Sequence, residues 1–225
     1  MPEQSAPSHP PQQSISLLAQ AKQWPLTAVL ILLSILGALL VEFDSNLSLV
    51  RQLLYFDFSF INGRMRPIDN SGEYWRLITP IFLHFGILHI TFNSLWLMDL
   101  GRGIELTHGR MRLAGLVLLI AMGSNITQAV VSGPAMFGGM SGVIYGLLGY
   151  CVVWSWRRPG ESFGIHRGVV IFMLVWLVLC FFGIAKLLGA GEVANGAHLG
   201  GLIMGAALGL IASFIDVKND GSGIK

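Results

Sequence analysis

Six apolar runs dominate this chain, covering residues 25–41, 80–100, 112–131, 141–156, 168–187 and 197–215. A helix needs about 20 apolar residues to cross the hydrocarbon core of a bilayer, and each run comes close to that length. The 225 residues are 53% hydrophobic and only 12% charged, whereas a soluble domain carries about a quarter charged residues. The pattern predicts an all-α membrane protein built as a six-transmembrane-helix bundle, with the lipid bilayer as its surroundings. The net charge of +2 is too small to imply a nucleic-acid partner. Cys151 and Cys180 both fall inside apolar runs and form no metal-binding pattern.

The segments between the runs assign the rest of the chain. Residues 1–24 are rich in Pro, Ser and Gln, too polar to bury a core, and are expected to form a disordered tail with no folded domain ahead of the first span. The run 25–41 has only Lys22 just ahead of it and no small-residue cleavage pattern behind it, so a retained span is expected rather than a signal peptide. The bundle then occupies 25–215, and a second tail covers 216–225. The first loop, 42–79, mixes aromatic and charged residues, a composition suited to the membrane interface.

Positive charge in short loops sets orientation. The loop 101–111 carries Arg102 and Arg110, with Arg112 at its edge; the loop 157–167 carries Arg157, Arg158 and Arg167; the C-terminal tail carries Lys218 and Lys225. The loop 132–140 has no Lys or Arg, and 188–196 has none beyond Lys186 at its margin. Both termini are therefore expected in the cytoplasm, and the second, fourth and sixth runs start from the outer side. That parity brings Ser141, His198, His89 and Asn93 to a similar depth near the outer face. Polar side chains inside a membrane are costly and mark functional sites by default.

The fourth run is short. At the α-helical rise it covers about 24 Å, less than the ~30 Å core, so its start must lie below the surface. The preceding VSGPAMFGGM then dips inward, which irregular backbone does only where it is buried in protein or lines a wet cavity. Gly142, Gly146 and Gly149 line one side of this run, and Gly201, Gly205 and Gly209 recur at every fourth residue of the sixth. Small residues at that spacing let helices approach closely. If these two faces meet, Ser141 and His198 meet near their outer ends.

A serine hydroxyl becomes a nucleophile when a base removes its proton, and histidine is the usual base. At a helix start serine is also a common cap, and a membrane histidine can simply bond a neighbouring helix; it is the joint placement that points to chemistry. His89 and Asn93 stand four residues apart, on one face of the second run. They are candidates to stabilise an oxyanion with the Ser141 N–H, or to form interhelical hydrogen bonds. His84, about 140° away from His89 on a continuous helix, reads as a structural residue tying down the first loop. A metal site on His84, His89 and His198 is disfavoured, because no carboxylate lies near them and Asp99 falls at the far end of the second run. No cofactor is expected.

The strings HFGILHITFN, GGMSGVIYGLLGY and NGAHLGGLIMG, with EYWR at 73–76, resemble the signature of the rhomboid family of intramembrane serine proteases in its six-span bacterial form. The resemblance covers roughly residues 73–215 and is specific when the strings are taken jointly. It implies Ser141 as nucleophile, His198 as base without an acidic third member, and His89, Asn93 and Ser141 at the oxyanion hole. It implies Tyr145 packed on the His198 ring, and Gly139 and Gly142 flanking the nucleophile. Phe92 and Trp176 would face each other where the second and fifth spans part to admit substrate, and the loop 188–196 would cap the site. The implied substrates are single-span proteins of a bacterial cytoplasmic membrane, cut after a small residue where the helix is weak. A catalytically silent client-binding relative or a transporter are the alternatives from other classes. Neither the oligomeric state nor the physiological substrate follows from the resemblance.

Overall fold

In the computed structural model, residues 22–45, 47–62, 64–68, 71–187 and 192–221 are described. Most of the expected N-terminal tail, Lys225, and residues 188–191 of the expected cap lie outside them. The chain is mostly helical: α1 (Pro25–Phe43), the short α2 (Ser48–Leu53), α3 (Ile87–His108), α4 (Arg110–Ser132), α5 (Ser141–Arg157), α6 (Arg167–Phe181), the short α7 (Ile184–Leu187) and α8 (Asn195–Gly221). Among the described residues, α1, α4 and α8 as far as Ile215 are long and apolar enough to cross a membrane, and α6 is a shorter apolar helix.

The centre of the fold is α5. Every residue from Gly142 to Cys151 is buried, because α8, α4 and α3 pack around it. Side chains of Leu97, Leu100, Ile104, Ile120, Leu147, Leu148 and Trp154 fill the core. On the α8 side the closest contacts are between main chains. A Cβ added to Gly201 would lie 1.9 Å from the Gly142 carbonyl oxygen, and one on Gly205 1.8 Å from that of Gly146. The two glycine rows meet as their spacing predicts, backbone against backbone.

At the opposite end of the bundle, α3 caps α1. The Glu105 carboxylate accepts the N–H groups of Leu26 and Thr27, both at 2.8 Å, and the Thr27 hydroxyl at 2.7 Å. Pro25 opens α1, where its missing N–H costs nothing, and Glu105 satisfies donors that the first turn cannot.

The first loop is folded rather than merely interfacial. β1 (Asp57–Ile61) and β2 (Arg64–Ile68) form an antiparallel hairpin with Ser59 opposite Arg66, the one departure from an all-helical fold among the described residues. Arg76 organises the loop from a buried position: its guanidinium donates to the carbonyls of Arg51 and Leu54 and to Glu73. Asp44 caps α2 by accepting from Val50 at 2.9 Å and Leu49 at 2.8 Å. Those N–H groups, that of Val50 foremost, hold its carboxyl below the ordinary value. Val50, Leu54, Phe58 and Leu83 form a small separate core beneath the hairpin.

The second apolar run needs correction. Residues 80–86 are not α-helical; Thr79–Phe82 is a 3₁₀ turn, and α3 begins after Gly86, whose φ of +125° suits glycine alone. At the other end α3 continues through 101–108, expected as loop, and the break before α4 is Gly109 alone, at φ +82°. Asp99 and Arg102 therefore lie along α3, not at or beyond its end.

Candidate active site

Ser141 opens α5, but it is not a cap. Met140 holds the cap position, and no side chain caps the helix. Instead Ser141 Oγ lies 2.8 Å from His198 Nε2, one turn into α8. Both helices deliver these groups to one level because Gly142 and Gly201 let the backbones touch just beneath them. The Tyr145 ring packs on the His198 imidazole with centroids 4.7 Å apart, and its hydroxyl donates to the Met173 carbonyl of α6 at 3.0 Å. A hydroxyl bonded to a buried imidazole (6% exposed) whose ring is braced by a tyrosine is the geometry that general-base activation of an alcohol requires.

The segment before Ser141 is held by glycines and two histidines. Gly139 has φ +114°, and a Cβ there would lie 2.6 Å from His89 Nε2, so the Nε2 edge of the His89 ring sits close against this backbone. The Gly139 N–H donates to the Pro80 carbonyl at 2.9 Å. His84 contacts the Phe82 carbonyl through Nδ1 at 2.9 Å, accepts the Met140 N–H through Nε2 at 3.3 Å, and touches His89. His84 thus fastens the segment leading into Ser141 rather than the first loop it was expected to tie down, and it precedes α3 rather than riding on it.

Asn93 is buried and spends one amide N–H on the His89 carbonyl of its own helix at 2.8 Å. His89 and Asn93, four residues apart, share one side of α3, with His89 against the segment leading into Ser141. The Ser141 N–H, at the first position of α5, has no partner within that helix.

The aromatic contact between α3 and α6 differs from expectation. Phe92 is 49% exposed and makes no ring contact with Trp176. The rings that meet are Trp96 and Phe172, at 5.6 Å, while Trp176 stacks on Phe172 within α6 at 6.4 Å. Phe92–Trp96 and Phe172–Trp176 are each i, i+4 pairs, so each pair shares one side of its helix.

Two polar residues went unassigned in the sequence. Gln128, buried in α4, accepts the Ala197 N–H at 3.0 Å beside His198, and Asn195 donates to the Cys180 carbonyl at 3.2 Å. The signal for Gln128 is present, since an amide inside an apolar run is itself anomalous. Among the described residues no group of three or more metal-ligating side chains gathers.

With this geometry in view, comparison with known proteins is decisive. The model of the family described as Rhomboid domain matches residues 71–214. The chain belongs to the rhomboid family. Its rhomboid domain is 39% identical to the Rhomboid protease GlpG of Serratia proteamaculans (strain 568) over 155 residues, which cover 68% of this chain and 52% of that protein. It is 40% identical over 147 residues to proteins of the same name from Salmonella paratyphi A and Salmonella newport, covering 65% of this chain and 50% of each. The chain thus spans about half the length of these rhomboid relatives.

Proposed function

We propose that this rhomboid is an intramembrane serine endopeptidase that hydrolyses peptide bonds in or near the transmembrane segments of single-span membrane proteins. The observation that carries the reading is the 2.8 Å contact between Ser141 Oγ and His198 Nε2 at the head of a buried helix. The activity in the name of its curated relatives supports it. His198 takes the Ser141 proton as Oγ attacks the scissile carbonyl carbon. The Ser141 N–H, with His89 and Asn93, stabilises the oxyanion. The proton passes to the leaving amine, the C–N bond breaks, and an acyl-enzyme remains. Water from the outer side then reverses these roles and releases the acid.

The surrounding architecture follows the same reading. The rhomboid domain occupies 25–215 with six spans, α1, α3, α4, α5, α6 and α8, in a bacterial cytoplasmic membrane, and both termini are cytoplasmic. The arginines gathered at the α3–α4 and α5–α6 junctions and the relatives' bacterial sources support that placement. The tails 1–24 and 216–225 flank the domain, the first loop lies in the interface, and 188–196 covers the site.

A fluorophosphonate probe tests the chemistry. Purified protein in micelles should be labelled, labelling should vanish in Ser141→Ala, and a chelator should change neither labelling nor peptidase rate. Labelling that survives Ser141→Ala, or activity lost in chelator and restored by zinc, overturns the serine mechanism.

Substrate access is proposed to run between α3 and α6. Trp96 and Phe172 close that seam, and an aromatic pair is worth about 1 kcal/mol beyond burial, or about fivefold in a rate limited by opening. Trp96→Ala with Phe172→Ala is expected to accelerate cleavage of membrane-embedded substrates by that factor and to lower thermal stability. Phe92→Ala with Trp176→Ala should have the smaller effect, and a soluble peptide should respond little to either. Equal acceleration of both substrate types would mean these rings only pack.

A further inference from the structure

Two buried polar atoms beside the dyad have no partner among the described residues, and they are complementary. One is His198 Nδ1, the other Asn195 Oδ1. When Ser141 donates to Nε2, the imidazole proton sits on Nδ1, which makes that nitrogen a donor with no acceptor among the described residues. Asn195 is oriented by its other end. The Cys180 carbonyl can only accept, so the amide nitrogen must face it, as the 3.2 Å bond records. Oδ1 is thereby the end of the amide left without a donor among the described residues.

The two residues are three apart in α8, on one face. Helical side chains lean toward the N-terminus, so the His198 ring extends over the turn that carries Asn195. The backbone there is regular, with the His198 N–H on the Ala194 carbonyl at 3.2 Å. Tyr145 braces the face of the ring, and its hydroxyl reaches the Met173 carbonyl rather than the ring edge.

We propose that Asn195 is a positioning residue for His198. Its Oδ1, which does not bond Nδ1 in this structure, comes to accept the Nδ1–H through a side-chain adjustment, holding the ring in the tautomer that leaves Nε2 for Ser141 and steadying the imidazolium formed when the Ser141 proton arrives. The role that an acidic residue fills in a triad is supplied by a neutral amide of the same helix, itself aimed by its bond to α6. This inference rests on the serine-protease reading above.

The test uses full-length protein labelled with ¹⁵N-histidine in micelles, together with kinetics on a membrane-anchored substrate. A slowly exchanging Nδ1–H resonance assigned to His198 is expected in the parent and in Ser141→Ala, and it should disappear in Asn195→Ala. That variant should lose about 10- to 100-fold in kcat, less than the loss on neutralising a triad aspartate, with KM unchanged. Asn195→Asp keeps an acceptor but gives up the donor to Cys180, so it should recover both the resonance and most of the rate. If the resonance survives Asn195→Ala, or if Asn195→Asp is as impaired as Asn195→Ala by both measures, Asn195 is only a tie between α8 and α6 and the proposal falls. Should Asn195→Ala fail to fold, Asn195→Asp alone decides on the same two readouts. A parent protein that shows the resonance pattern but cleaves nothing would leave the positioning role standing and remove the protease reading.

Discussion

Replacing Ser141 or His198 is expected to abolish proteolysis, with losses of about 10³-fold or more for either change and no further loss when both are combined. The two side chains form one unit through the 2.8 Å Oγ–Nε2 contact, so removing either disables the same step. Stability should respond differently at the two positions. Ser141 loses one oxygen at a half-buried site, and Ser141→Ala should melt close to the parent. His198 is buried and its ring packs on Tyr145, so His198→Ala also opens a cavity, with a cost of about 2 kcal/mol or more by analogy with other buried truncations. His198→Phe keeps the ring and removes the base, and it should be inactive yet more stable than His198→Ala. Cleavage assays on a membrane-anchored substrate and thermal melts in one detergent check both halves. Substantial turnover by Ser141→Ala, or a double variant far worse than each single, would show that the two do not act as a nucleophile–base pair.

How far the site can be read in the sequence differs by residue, for physical reasons. The start of α5 at Ser141 is legible because a short apolar run bounded by glycines leaves little freedom in where the helix begins. The pairing of α5 with α8 is legible because two glycine rows at a four-residue spacing have few uses other than meeting each other. The second run is misread at both ends for one reason: hydropathy does not distinguish a 3₁₀ turn around Pro80 from a helix, nor a helix carrying Asp99 and Arg102 from a polar loop. The hairpin announces itself locally, since Asn62-Gly63 between DFSFI and RMRPI is a strong two-residue turn signal. A reading organised around membrane hydropathy passes over it. The aromatic seam shows a different limit. Spacing alone does not say which rings of α3 and α6 meet; Trp96 meets Phe172, and the packing of the whole bundle sets that register. Asn195 and Gln128 are polar residues whose partners are backbone groups on distant helices, and no local pattern encodes those.

Enlarging a glycine at the α5–α8 contact is expected to be nearly as damaging as removing the dyad itself, although no chemical group is lost. At Gly205 an added Cβ would lie 1.8 Å from the Gly146 carbonyl oxygen, and at Gly201 1.9 Å from that of Gly142. Neither neighbour is a side chain that can swing aside; both are main-chain atoms of a helix buried along its length, so the helices themselves must separate. Overpacking a core commonly costs about 1–3 kcal/mol when side chains absorb it, and a backbone clash belongs at or above the top of that range. Even alanine should therefore suffice. Gly115, within α4, has nothing within 4 Å of an added Cβ, and Gly115→Ala should be neutral or stabilising by up to about 1 kcal/mol through helix propensity. The position along the seam should also sort stability from activity. Gly201 faces Gly142, the residue next to Ser141, so Gly201→Ala separates the hydroxyl from His198 most directly; a displacement near 1 Å costs about 100-fold in rate. Gly209, near the opposite end against the Tyr150 carbonyl at 2.8 Å, should lower the melting temperature with much less effect on the turnover of the protein that remains folded. Fluorophosphonate labelling rates and thermal melts across Gly201→Ala, Gly205→Ala, Gly209→Ala and Gly115→Ala would measure this gradient. If Gly205→Ala behaves like Gly115→Ala, the two helices do not meet backbone to backbone, and the juxtaposition of Ser141 with His198 would have to be held by something other than the glycine seam.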